Sequence, residues 1–304
     1  MKAADAIGRR DFLRVSALAA GGMLVSIASP RGLRARAGDP VAWEPNAFIR
    51  IDPDGAVTIT AARPDMGQGT RTALAMLVAE ELDADWGTVR IVQAGYAGEK
   101  YGPQYSGGSS AIRQGWEPLR RAGATARAML LAAAAAEWSV SPAECVVEAG
   151  FVFHHPTHRS AGYGALASAA ALLPVPADPP LKSPADYRLI GKRVASVDAP
   201  AIIRGEPLFG IDQRVPGMLF AVVERSPTLG ARVASVDDSR ARAVPGVRRV
   251  LRIDADALPS FGEDNPRPCN GVAVLATSTW AAMQGRKALR VSWTPRPGAG
   301  ESSA

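Results

Sequence analysis

Two short stretches carry residue types that could do chemistry, Gly67-Gln68-Gly69 and Gly107-Gly108-Ser109-Ser110. Each leads directly into an apolar-periodic run, so each reads as a glycine turn that opens a helix. A helix N-terminus leaves its first N–H groups unpaired and carries partial positive charge, which suits a phosphate or another anion. Glycine lets such a ligand approach the backbone, and the Gln68 amide with the Ser109 and Ser110 hydroxyls can add directed hydrogen bonds. Anion binding is therefore the chemistry these residues suggest. A pair of ordinary helix caps on permissive turns stands beside it as the plainer reading. Standard nucleotide loops do not fit: no G-x-x-x-x-G-K-[ST] occurs, and the stretch from Gly67 to Thr72 lacks the third glycine of a dinucleotide loop.

The other chemistry-bearing types are sparse. All three histidines (His154, His155, His158) fall in "HHPTH". His154 and His158 have an i, i+4 spacing, but Pro156 opposes a helix and the strand pattern of "FVFHH" sends His154 and His155 to opposite faces. The cluster reads as a polar hairpin end, with no metal site assigned. The two cysteines, Cys145 and Cys269, are far apart and form no C-x-x-C pair, so this chain ligates no iron–sulfur cluster through cysteine. Both read as small buried hydrophobes. Glu80 and Glu81 are expected on helix faces in solvated or ion-paired roles.

The elements that must position the two turns follow a mixed α/β pattern. "FIRIDPDGAVTIT" is a hairpin across Asp52–Gly55. The first glycine turn comes next, then a helix with Leu74, Leu77, Val78 and Leu82 on one face, then the strand "TVRIVQA". The second turn opens a long alanine-rich helix with Pro118 near its start. Strands "CVVEA" and "FVFHH" follow across Gly150, then the helix "YGALASAAALL". The proline-rich "PVPADPPLKSP" reads as a linker, and the domain break is placed near residues 185–190. Short strands and one helix recur beyond it.

The chain of 304 residues is long enough for two domains with proper cores. Its formal charge of +6 invites a nucleic-acid reading, but much of the excess lies in the first 37 residues. There Arg9 and Arg10 precede a weakly apolar run from Val15 to Ala28 and an A-x-A pattern at Ala35 and Ala37, which together read as a twin-arginine export signal. Its removal takes away seven Lys/Arg and two Asp and leaves 28 basic against 27 acidic residues. The mature chain is nearly neutral, so a nucleic-acid partner loses its motivation. Periplasmic localisation is expected, with membrane association left open.

The segments "DMGQGTRTALAMLVAEELDADW", "GGSSAIRQGWEPLRRAGATARAML", "LIGKRVASVDAPAIIRGEPLFGIDQRVPGMLFAVV" and "VDDSRARAVPGVRRVLRID" resemble the molybdopterin-binding large subunit of the xanthine dehydrogenase/aldehyde oxidase family. The likeness is to its exported, isoquinoline 1-oxidoreductase beta-type branch and runs from about Trp43 to Trp293. It implies an α/β (α+β) fold: signal 1–37, the N-terminal part of a molybdenum-cofactor domain at 38–185, an α/β hammerhead domain at 190–293, and a terminal loop at 294–304. It implies that Met66, Gly67, Gln68 and Gly69, with Gly107, Gly108, Ser109 and Ser110, hold a molybdenum–pterin cofactor, including its cytosine dinucleotide form. Asp65 stands where Glu is common, Ala111 where a hydroxyl is common, and Ile203 where Lys is common.

The resemblance further implies oxidation of an aldehyde or hydroxylation of an N-heterocycle, with electrons passed to a small [2Fe–2S] subunit. The family's catalytic glutamate lies after the hammerhead, so no catalytic residue is expected in this chain and the C-terminal half of the large subunit is an expected partner. Two alternatives remain at this point, a non-catalytic remnant and an exported anion- or phosphate-binding module.

Overall fold

A computed structural model of the chain describes residues 13–17, 23–27, 47–228, 230–258 and 270–294. Two compact units divide after Phe209. Arg9, Arg10, Ala35, Ala37 and Cys269 lie outside the described residues, whereas parts of the apolar run expected in the signal form strands of the first unit's sheet.

The first unit is built on a five-stranded sheet in the order β1 (Leu13–Ala17), β2 (Met23–Ile27), β3 (Ala47–Ile51), β4 (Val57–Ala61), β5 (Arg90–Gln93). β3 and β4 pair antiparallel through the expected hairpin, where the Gly55 N–H donates to the Asp52 carbonyl at 2.9 Å. Gly55 has φ 86°, a left-handed conformation that glycine adopts without a Cβ clash. β4 and β5 pair parallel, so the chain must cross over between them, and helix α1 (Thr70–Leu82) is the crossover.

Leu74, Leu77, Val78 and Leu82 of α1 are all buried, as their spacing predicts. After the short α2 (Gly98–Tyr101), the long α3 (Ser110–Trp138) runs against α1 and includes Pro118. Small residues make that contact close: a Cβ on Gly123 would stand 2.5 Å from the Val78 carbonyl oxygen. The hairpin β6 (Val146–Glu148) and β7 (Phe151–His154) turns through Ala149 and Gly150, both at positive φ, and β8 (Arg159–Gly162) extends it. Helix α4 (Tyr163–Ala170) then seats on the β3–β4 turn, where a Cβ on Gly164 would stand 2.3 Å from the Pro53 carbonyl oxygen.

Glu80 and Glu81 are ion-paired but fully buried, not on a solvated face. Glu80 accepts from the backbone N–H groups of Arg188, Leu189 and Ile190 at 2.9, 2.6 and 3.0 Å and from Lys182 Nζ at 3.0 Å. Burial alone would raise its pKa; the N–H donors of Ile190 and Leu189, the Lys182 ammonium and the Arg188 N–H outweigh that and hold it below the ordinary carboxylate value. Glu81 pairs with Arg120 at 2.6 Å and accepts from the Lys182 backbone N–H at 3.0 Å. The stretch read as a proline-rich linker is thus clamped to α1 at Lys182, and the residues that follow it are clamped at 188–190. The boundary between compact units falls later, after helix α5 (Ala199–Ile203).

The second unit carries a three-stranded antiparallel sheet in the order β11 (Val247–Ile253), β12 (Gly271–Ala276), β9 (Phe220–Arg225). A second, two-stranded antiparallel sheet pairs β10 (Arg232–Asp237) with β13 (Arg290–Thr294). Helices α6 (Ser239–Arg242) and α7 (Thr279–Ala288) pack against each other and against the three-stranded sheet. The Ser278 Oγ caps α7 by accepting from the Ala281 N–H at 3.1 Å. A Cβ on Gly285 would lie 2.8 Å from side-chain carbons of Val247 and Val274, so glycine permits the helix to sit close on the sheet. Among the described residues no helix is long and apolar enough to cross a membrane.

Candidate functional site

The direction of the α1–α3 contact decides the geometry of the site. A Cβ on Gly115 would meet Leu74, and one on Gly123 would meet Val78, Glu81 and Leu82, so both helices advance in the same sense. Parallel packing brings their N-termini to one end, where the turns Gly67–Gly69 and Gly107–Ser109 stand as neighbours. This is also the carboxyl end of β4, where α/β sheets commonly bind ligands.

Side chains outside the glycine motifs stitch the two loops together. Ser106 Oγ donates to the Pro64 carbonyl at 2.5 Å, and Gln104 Nε2 to the Ala62 carbonyl at 3.3 Å. Arg63 donates to the Tyr105 carbonyl at 3.0 Å and to Gln114 Oε1 at 2.6 Å, with its guanidinium 5.1 Å from the Tyr105 ring centroid. Sequence reasoning missed Arg63, Gln104 and Ser106 because their partners lie some 40 to 50 residues away. The one available signal was their position flanking the two turns.

The predicted site residues divide into free and engaged groups. Met66 is 69% exposed. Gln68 is turned into its own loop: Oε1 accepts from the Met66 N–H at 2.6 Å, and Nε2 donates to Thr70 Oγ1 at 2.8 Å and to the Pro64 carbonyl at 3.3 Å. Gly67 and Gly69 have φ 106° and 83°, and a Cβ on Gly69 would point into open space. Their N–H groups donate to the Asp65 carboxylate at 2.7 and 3.4 Å, and the Arg71 N–H does so at 2.9 Å. The anion cradle read from the first turn is therefore filled by a carboxylate of the same loop.

The second turn is more open. Gly107, Gly108 and Ser109 are exposed, and a Cβ on Gly108 would also point into open space. Ser109 sits at φ 53° with no side-chain cap, and among the described residues the N–H groups of Gly108 and Ser109 find no backbone acceptor. Ser110 is buried, its hydroxyl spent on the Gly107 carbonyl at 2.8 Å. One turn further, Arg113 is exposed and makes no ion pair among the described residues. A basic residue three places after a Gly-Gly-Ser-Ser helix start was the signal that could have found it.

The remaining candidates separate from this end. His154 is buried, with Nδ1 2.7 Å from Thr157 Oγ1, while His155 and His158 are exposed. Among the described residues no group of three His, Cys, Asp or Glu side chains could hold a metal. Cys145 is buried, which pushes its thiol pKa up, with the Glu144 charge adding to the effect. Two concave surfaces in the second unit, one lined by Glu224, Arg286 and strand β13 and the other by β9 and Arg286, include none of the predicted site residues.

Comparison with known proteins decides the family. The model of the molybdopterin cofactor-binding domain family matches residues 19–225, more than half of the chain. The chain belongs to that family. The beta subunit of isoquinoline 1-oxidoreductase from Brevundimonas diminuta is 34% identical, over 96% of this chain and 41% of its own length. Membrane-bound aldehyde dehydrogenase [pyrroloquinoline-quinone] of Gluconacetobacter polyoxogenes is 34% identical, over 95% and 37%. A nicotinate dehydrogenase subunit of Pseudomonas putida is 32% identical, over 83% and 20%. This molybdopterin-domain chain thus spans about two fifths or less of the relatives it matches.

The residues present fit such a cofactor. Glycine backbones border open space at both turns, and the Gly108 and Ser109 N–H groups, which find no backbone acceptor among the described residues, offer an anionic group its complement together with Arg113 one turn on.

Proposed function

We propose that this chain is the cofactor-holding part of an exported molybdenum hydroxylase that oxidises aldehydes or hydroxylates N-heterocycles. Electrons leave to a small [2Fe–2S] subunit, and a C-terminal half of the large subunit completes the site. The observation that carries this reading is the parallel pairing of α1 and α3, which sets two glycine turns side by side at one end of a family-matched domain. The substrate class follows from the relatives' names, which specify isoquinoline, nicotinate and an aldehyde. One of those names carries a quinone cofactor; the pterin assignment rests on the family model. We take the cofactor in its cytosine dinucleotide form, the second unit as the hammerhead domain, and the export signal as ending at Ala37.

When bound, the molybdenum–pterin group supplies the two-electron redox chemistry. This chain's residues hold and orient it. The Gly108 and Ser109 N–H groups and Arg113 take its anionic end, while Met66 and the Gly67–Gly69 backbone line the neighbouring face. Arg63, Gln104 and Ser106 fix the spacing between the two faces. The catalytic base belongs to the C-terminal half in this account, so no proton transfer is assigned to Glu80 or Glu81, which are fully buried and engaged.

The test is molybdenum analysis and dye-coupled oxidation of an aldehyde and an N-heterocycle by the purified chain. The expected result is no turnover and weak metal retention by this chain alone, with both restored when the C-terminal half is supplied. Stoichiometric molybdenum with turnover from the chain alone would overturn the division of labour.

A further inference from the structure

The two helix N-termini differ in electrostatic state. At the α1 end, one carboxylate accepts three N–H groups: Asp65 Oδ1 takes Gly67 and Gly69, and Oδ2 takes Arg71. The cation of that turn is committed as well, since Arg71 pairs with Asp198 at 2.5 Å and donates to the Ile91 carbonyl at 2.6 Å. Gln68 spends both ends of its amide inside the loop. Neither helix has an acidic residue in its own first turn, but at the α3 end no loop carboxylate stands in for one: among the described residues the Gly108 and Ser109 N–H groups find no backbone acceptor, and Arg113 is exposed.

We propose that the Asp65 carboxylate is a built-in anion that closes the α1 turn to anionic groups and leaves it to an uncharged, hydrogen-bonding edge of the ligand. The inference rests on the cofactor reading of the two loops and concerns how they share the ligand. An incoming phosphate at the α1 turn would have to displace a carboxylate that costs no association entropy, because it belongs to the same loop. It would also meet that like charge at close range. Asp65 is thus a positioning and selectivity residue: it shapes the turn before any ligand arrives and directs the ligand's charge towards α3.

The test uses the 15N-labelled chain titrated with inorganic pyrophosphate, following backbone amides in wild type, Asp65→Asn and Asp65→Glu. In wild type and Asp65→Glu, Gly108 and Ser109 should shift while Gly67, Gly69 and Arg71 stay still. In Asp65→Asn the α1 amides should join them, with pyrophosphate affinity at that turn up by about fivefold, the size of one charge at a helix N-terminus. Wild-type shifts at Gly67, Gly69 and Arg71 that track those of α3 would overturn the proposal, whether or not Asp65→Asn folds. Asp65→Asn that binds at α3 yet leaves the α1 turn unresponsive would overturn it too. Pyrophosphate that moves neither loop would sink the site reading itself.

Discussion

Truncating Glu80 should be among the most damaging single changes in the first unit, because its side chain is the acceptor for four donors at once. It is 1% exposed and holds Lys182 Nζ with the N–H groups of Arg188, Leu189 and Ile190. Glu80→Ala leaves Lys182 Nζ with Asp83 as its partner at 2.9 Å but strands three backbone amides, a loss of about 3–5 kcal/mol at about 1–3 kcal/mol for each unsatisfied donor. Glu80→Gln keeps the shape and one acceptor oxygen but turns an NH2 group against donors, so a loss of about 2–3 kcal/mol is expected. With a urea m value of about 2 kcal/mol/M, the alanine variant's midpoint should fall by about 2 M at neutral pH. Folding lowers this pKa, so the native state binds the proton less tightly than the unfolded chain. The carboxylate's contribution is therefore whole above about pH 4.5 and drains away as the pH falls below that, towards the depressed native value. The stability gap between wild type and Glu80→Gln should narrow accordingly on acidification. Urea melts placing Glu80→Ala within about 0.5 kcal/mol of wild type, or a gap that stays constant down to pH 3, would refute the reasoning.

Gly123→Ala places a Cβ 2.5 Å from the Val78 carbonyl oxygen and should cost about 1–3 kcal/mol in denaturant melts while moving the two glycine turns apart. Tyr163→Phe removes a buried hydroxyl that donates to the Leu82 carbonyl at 2.6 Å, and should lower stability by about 1–3 kcal/mol by the same assay. Replacing Arg9 and Arg10 together by lysine should leave the precursor in the cytoplasm, as read by cell fractionation; periplasmic accumulation would count against the proposed export route.

Much of the first unit is legible along the chain. The spacing of Leu74, Leu77, Val78 and Leu82 announces α1, the Asp52–Gly55 turn announces the β3–β4 hairpin, and the two glycine turns mark the helix starts. The roles of Glu80 and Glu81 were not legible, because α1 is covered on both sides, by β4 and β5 and by α3. A helix read for one apolar stripe assigns its acids to solvent. Their partners, Arg120 and the segment from Lys182 to Ile190, lie about 40 to 110 residues downstream. The capping role of Asp65 was hidden for a different reason. Its carboxylate reaches an N–H six residues ahead, which only the backbone path of two positive-φ glycines makes possible. The proline-rich stretch reads as free because composition shows flexibility, not what binds a backbone.

Both glycine turns are assigned to one ligand, and hydrogen–deuterium exchange with and without the molybdenum–pterin cofactor tests that assignment most directly. Cofactor in excess over the chain should slow exchange in peptides covering residues 62–71 and 104–113 together, while the hairpin at 146–162 stays unchanged. Protection confined to one of the two loops, or falling elsewhere in the chain, would contradict the account.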